Sequence, residues 1–207
     1  MKEILKLVVG AAVLVGVVGI ILSSTVVERY VVQDNGMAPT IVYGDEVLVW
    51  KGAGVDRGDP VVCPSPRENG AYVVGRATAW PGETISTDHN GVMYIAGEAM
   101  GTEWRGTMEF YDVTRKKQFT MEHGYFQFSP RLTRPLMMES GRRFSLPEYT
   151  VDKGIYLLGD NRSDTQHDSR YFGEIDPASC IGQVFLRWKP APPTGDDIDH
   201  GYLDWIK

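Results

Sequence analysis

At 207 residues the chain has room for one large domain or two small ones around a real core. Hydrophobic residues at 43% and charged residues at 23% exclude a disordered or fibrous chain, and a formal net charge of -6 argues against a nucleic-acid binder. Cys63 and Cys180 allow at most one disulfide, and His89, His123, His167 and His200 are too scattered for a metal-binding spacing, so neither a metal nor another cofactor is expected.

The first predicted element is a membrane anchor. Leu7 to Val27 is 21 residues without a charge, and Leu7 to Leu22 is apolar or glycine throughout. As a helix it spans roughly 31 Å, the thickness of a hydrocarbon core. It is longer than the apolar region of a cleaved secretory signal, and Ser23-Ser24-Thr25 is a poor cleavage site. Residues 7–27 are therefore expected to bind the lipid bilayer as an uncleaved anchor. Lys2 and Lys6 put the N-terminus in the cytoplasm and the rest of the chain outside it, in the periplasm or at the cell surface. Ala12-xxx-Gly16 would let a partner helix approach closely.

Beyond residue 28 no stretch carries helical periodicity. Short β-rich runs appear instead at Glu46–Trp50, Pro60–Cys63, Ala71–Arg76, Val92–Ile95, Gln118–Met121, Tyr125–Phe128, Ile155–Leu158 and Ile181–Trp188. Turn clusters separate them, among them Tyr43-Gly44-Asp45, Trp80-Pro81-Gly82 and Asp88-His89-Asn90-Gly91. This pattern predicts a mostly β domain over residues 29–189. Arg115-Lys116-Lys117 reads as a solvated hairpin tip, Arg57-Gly58-Asp59 as a tight turn before a strand, and Cys63 as an ordinary buried thiol. From residue 190 the chain changes character: Lys189-Pro190-Ala191-Pro192-Pro193 cannot continue a central strand, and an acidic stretch leads to Tyr202-Leu203-Asp204-Trp205-Ile206. Residues 190–207 are thus an acidic, aromatic tail, to be docked on a partner or folded back on its own domain.

Four blocks in fixed order carry a resemblance. Asn35-Gly36-Met37-Ala38-Pro39-Thr40 follows the anchor, with Gly44-Asp45 behind it. Arg57-Gly58-Asp59-Pro60 comes next, then Gly75-Arg76 with Trp80-Pro81-Gly82-Glu83. Gly159-Asp160-Asn161-Arg162 and Asp168-Ser169-Arg170-Tyr171-Phe172-Gly173 close the series. From the anchor to about Trp188 the chain resembles the bacterial type I signal peptidases. Behind the anchor, read as a single N-terminal transmembrane helix within residues 1–28, that resemblance implies a signal-peptidase-like all-β domain with a β-rich insertion at roughly residues 86–149.

The family removes signal peptides with a Ser–Lys dyad, in which a lysine kept neutral by burial deprotonates the serine. The resemblance places the serine at Gly36 and the lysine at Gly75, neither of which has a side chain. A hydroxyl that helps hold the oxyanion falls at Asp34, whose carboxylate would repel it. Catalytic residues are therefore expected to be none. Asp160, Arg162 and Arg170 are expected to brace the loop at residue 36 by hydrogen bonds and ion pairs beside Arg76, and Met37 and Pro39 to shape the mouth of the groove. Ser65, Ser129, Ser169 and Cys63 have no sequence feature that supplies a base, and His167 and Asp168, being adjacent, point apart.

The family binds its substrate as an extended strand on a sheet edge. A member that keeps the groove without the dyad reads as a pseudoenzyme: an accessory subunit or assembly chaperone that binds another membrane or exported protein. The rival reading is an active signal-peptidase-type serine endopeptidase with a rearranged or partner-completed site. A third is a structural subunit with a vestigial groove.

Overall fold

Alternation of buried and open side chains sets the strands. In the computed structural model β2 (Glu46–Lys51) turns Val47 and Val49 inward, while β3 (Pro60–Pro64) and β4 (Tyr72–Ala79) are buried almost throughout. The structure describes residues 26–193, 198 and 200–206, with residues 2, 6, 8–10, 13, 14, 16 and 19 of the N-terminal segment. The anchor expected at residues 7–27 lies largely outside the described residues; among them no helix is long and apolar enough to cross a membrane.

The fold is mostly β. A seven-stranded sheet runs β1 (Val27–Val31), β2, β13 (Gly182–Lys189), β3, β4 and β12 (Tyr156–Leu158), with β14 (Asp204–Trp205) added to β13. Between β4 and β12 the chain leaves this sheet. A four-stranded sheet forms from β5 (Thr84–Thr87), β6 (Met93–Ile95), β7 (Glu98–Ala99) and β11 (Tyr149–Thr150). Beside it a three-stranded sheet forms from β8 (Gly101–Asp112), β9 (Lys117–Ser129) and β10 (Leu132–Glu139), with Arg115 and Lys116 at the tip of the β8–β9 hairpin.

Ala79, Ile85, Ile95, Phe126, Leu136 and Leu158 bring side chains of all three sheets into one core. A second core under the large sheet gathers Val32, Met37, Ile41, Val47, Val62 and Val184. Ile206 belongs to it, because the tail folds back: its N–H donates to Phe185 O at 3.0 Å, and Asp204 pairs with Arg187. Of the two outcomes left open for the tail, the described residues take the second.

Two expectations change. Gln118–Met121 and Tyr125–Phe128 are one strand, β9, carried across Glu122-His123-Gly124. Cys63 is not a free thiol. It forms a disulfide with Cys180, which the turn before β13 brings against β3, so it can act as neither nucleophile nor base.

Candidate functional site

The loop from β1 to β2 carries residues 34–40. It turns inward on its own hydrogen bonds: Ile41 N–H donates to Met37 O, Ala38 N–H to Asn35 O, and Gly44 N–H to Val32 O. The Asn35 side chain ties the loop to the tip of the β8–β9 hairpin by donating to Asp112, and accepts from Tyr43 N–H. Met37 follows the loop into the core and is fully buried, so it does not shape a groove mouth as expected. Pro39, after a cis peptide bond, stays half-buried beside Thr40, Tyr125 and Pro135.

The turn at residues 157–161 packs on both positions where nucleophile and base were expected. Asn161 N–H donates to Gly36 O at 2.9 Å, and Gly159 approaches so closely that a Cβ there would stand 2.3 Å from Gly36 O. Only glycine fits at 159. On the other side a Cβ on Gly75 would stand 2.9 Å from the Cβ of Leu157, so a lysine there would collide with β12.

Buried charges hold this assembly. The Arg76 guanidinium grips both carboxylate oxygens of Asp160, donates to Gly58 O at 2.6 Å, and is 1% exposed. Thr40 donates its hydroxyl to the same Asp160. Asp168 caps the short helix Ser169–Phe172 and accepts from Gly159 N–H and from Arg170. Arg170 in turn donates to Arg162 O and Asp164 O, each at 2.7 Å. Asp160 and Arg170 therefore hold the assembly through ion pairs, Asp160 reaching the loop itself at Thr40. Arg162 does not: its guanidinium lies over the rings of Phe126 and Phe144, and it forms no ion pair among the described residues.

At Gly36 the surroundings are acidic. Its N–H donates to Asp34 Oδ1 at 2.8 Å, and a Cβ on Gly36 would meet that oxygen at 3.0 Å and the Cβ of His167 at 3.2 Å. Asp34 is 4% exposed, and burial pushes its carboxyl up to about 6, against the pull of His167 and the Gly36 N–H. His167 Nδ1 lies 2.9 Å from Asp164 Oδ2, and that hydrogen bond raises the imidazole. Burial works to raise Asp164, but His167 and the Gln166 N–H together hold it below the usual carboxylate range.

The backbone N–H of a nucleophile's own residue is a common oxyanion donor. Here that donor already serves a carboxylate. Ser169 Oγ accepts from Leu157 N–H at 2.8 Å, deep in the structure, and so bonds backbone, not a base. The Ser65 and Ser129 hydroxyls close exposed turns onto Arg67 and Arg131 N–H groups.

Sequence reasoning set aside His167 as a neighbour of Asp168; the structure pairs it with Asp164 and places it against Gly36. The spacing Asp164-xx-His167 at the end of a Gly-Asp-Asn-Arg turn was the available signal. It also passed over Asp45 and Arg187, a buried pair at 3.1 Å from opposite ends of the domain.

The chain matches the family described as signal peptidase, peptidase S26, over residues 1–189. Signal peptidase IB of Staphylococcus aureus (strain COL) is 30% identical over 194 residues, 91% of each chain. Signal peptidase I of Pseudomonas aeruginosa is 25% identical over 207 residues, 84% of this chain and 68% of that one. A solved signal peptidase I from Enterococcus faecalis V583 covers 63% of this chain and 97% of its own, at 27% identity and a TM-score of 0.38.

Proposed function

The chain belongs to the signal peptidase family, peptidase S26, and from that premise we propose that it is a non-catalytic member which holds an extended segment of an exported or membrane protein outside the cytoplasm. The observation that carries the proposal is the bond from Gly36 N–H to Asp34. A carboxylate occupies the donor that a tetrahedral intermediate would need, at a residue with no nucleophile. Leu157 supports the same reading by filling the space in front of Gly75.

Binding needs less than cleavage does. Among the described residues β1 pairs with β2 alone, so its outer edge is open, and it runs into residues 34–36. An extended peptide added to that edge would lie beside Asp34 and Gly36. The role is an accessory subunit or assembly chaperone. Residues 7–27 supply a bilayer anchor with Lys2 and Lys6 on the cytoplasmic side, and the Cys63–Cys180 disulfide fits an oxidising compartment beyond it.

The test is the full chain purified gently from membranes and offered a preprotein. The expected result is stoichiometric co-purification of a membrane or exported protein without cleavage. Putting Gly36→Ser and Gly75→Lys into the chain should not create cleavage either, because Asp34 and Leu157 stay in place. Cleavage by the unaltered protein, freed of contaminating peptidase, would overturn the proposal.

The acidic cluster favours a second reading, an active peptidase with a rearranged site. Asp34 and His167 flank one point beside Gly36; burial pushes the Asp34 carboxyl up to about 6, and the hydrogen bond to Asp164 raises the half-buried His167 imidazole. On that reading cleavage would follow a bell-shaped pH profile and vanish in both Asp34→Asn and His167→Gln.

A further inference from the structure

Four arginines in the domain have their guanidinium groups almost wholly inside it. Arg76, Arg170 and Arg187 each hold a buried aspartate and at least one backbone carbonyl. Arg162 is 7% exposed and has neither. Its side chain makes no hydrogen bond among the described residues, and its Nη1 is fully enclosed without an acceptor. Phe126 and Phe144 lie 5.2 and 5.3 Å from its central carbon, offering ring faces but no lone pairs to the N–H groups. The rings relieve only part of the desolvation penalty of a buried cation, and a buried N–H without an acceptor normally marks a missing partner.

The missing partner has a place. Arg162 lines a cavity of about 320 Å³ between the four-stranded and three-stranded sheets. Met93, Leu136 and Met138 form apolar walls, Arg142 and Arg143 stand at the rim, and among the described residues no Asp or Glu lines it. We propose that this cavity binds a small monocarboxylate with an apolar body, its carboxylate on Arg162 and its body against the methionines.

The chemistry selects that class. A guanidinium presents parallel N–H groups that match a carboxylate, and the pair is strong where water is excluded. Arg162 is the buried cation of the cavity, while Arg142 and Arg143 stand exposed at its rim; a phosphate on Arg162 would have no apolar body to set against Met93 and Leu136. Burial pulls the Arg162 guanidinium down to about 10, so it remains a cation at neutral pH. A free organic acid and the C-terminal carboxylate of a peptide share this chemistry.

The experiment titrates the full-length protein with 3-phenylpropanoate, its neutral amide, acetate and inorganic phosphate, using calorimetry. A second arm compares N-acetyl-Leu-Phe with N-acetyl-Leu-Phe amide. The expected result is saturable binding of 3-phenylpropanoate at least about tenfold tighter than its amide, which is about 1.4 kcal/mol. Acetate and phosphate should bind more weakly still. Arg162→Met should abolish the preference for acid over amide; should that variant not fold, Thr102→Trp, on the exposed wall of the same cavity, should block binding with Arg162 intact. If the acid-terminated peptide binds tighter than the free acid, the source is a peptide C-terminus; the reverse order assigns free acids. Equal binding of acid and amide to the folded protein, or no saturable signal at millimolar acid, would overturn the proposal.

Discussion

The two ends of the segment Asp34–Thr40 are held in opposite ways. At Thr40 a hydroxyl and a backbone carbonyl meet Asp160, Arg76 and Arg187, so every buried charge has a counter-charge. At Asp34 a carboxylate just as buried leans on one backbone N–H, with an imidazole nearby. The first end behaves as scaffold, in which charge is paired off and fixed. The second keeps a charge whose state depends on pH, beside a glycine. Within this fold, support and chemistry are separable over a few residues.

The largest effect should come from the scaffold end. Asp160→Ala leaves Arg76 buried without a counter-ion and should lower unfolding stability by about 3–5 kcal/mol, read by urea denaturation of the full chain. Arg76→Met with Asp160→Leu should recover most of that loss, as apolar replacements of buried pairs often do. A cost below about 1 kcal/mol for Asp160→Ala would break the comparison, since Thr40 would then need no pairing.

Next in size is the disulfide. Cys63→Ala with Cys180→Ala opens a link between residues 117 apart and should cost about 2–5 kcal/mol, with the same loss on reduction of the unaltered protein.

At the other end the prediction is one of sign. Asp34 has a folded-state pKa of about 6, above its unfolded value, so the folded chain binds the extra proton. Its contribution is fully favourable below about pH 4 and is lost as pH rises through 6. Asp34→Asn keeps an acceptor for Gly36 N–H without the charge. It should therefore stabilise the protein by up to about 2–3 kcal/mol at pH 8 and by nothing at pH 4. Nuclear magnetic resonance should show the His167 pKa falling in the same variant, since the Asp34 charge helps raise it. A gain independent of pH would mean that packing, not charge, distinguishes this end.

The smallest effect belongs to the surface arm of the network. Asp204 is more than half exposed, so Asp204→Ala should cost under about 1 kcal/mol despite its 2.8 Å contact with Arg187.

How much of this was legible beforehand varied with distance along the chain. The inner strands of the large sheet read well, β2 because Val47 and Val49 alternate with more open positions, β3 and β4 because they are short apolar runs buried almost throughout. β8 did not, because Gly101–Thr107 is exposed throughout and its pairing with β9 owes nothing to an apolar face. Asp160 and Arg170 were readable from short blocks, whereas Asp45–Arg187 and Cys63–Cys180 join positions more than a hundred residues apart. Arg162 sits in the same block as Asp160, yet its ring contacts come from β9 and the β10–β11 connection, which the block does not contain. Met37 was misplaced for a similar reason: the core that receives it is built by Val47, Val49, Val62, Val74 and Val184, from strands its own block does not contain.

The strand order carries a consequence for how the chain acquires its structure. β13 is nearly the last strand made, yet it stands in the middle of the large sheet, between β2 and β3. Until residues 182–189 emerge, β1 and β2 form one ribbon and β3, β4 and β12 another, with no ladder joining them. Loop-closure entropy is met late and all at once, which favours slow, cooperative assembly over piecewise growth. Half-made chains expose two unpaired edges, and the closing strand removes both in one step.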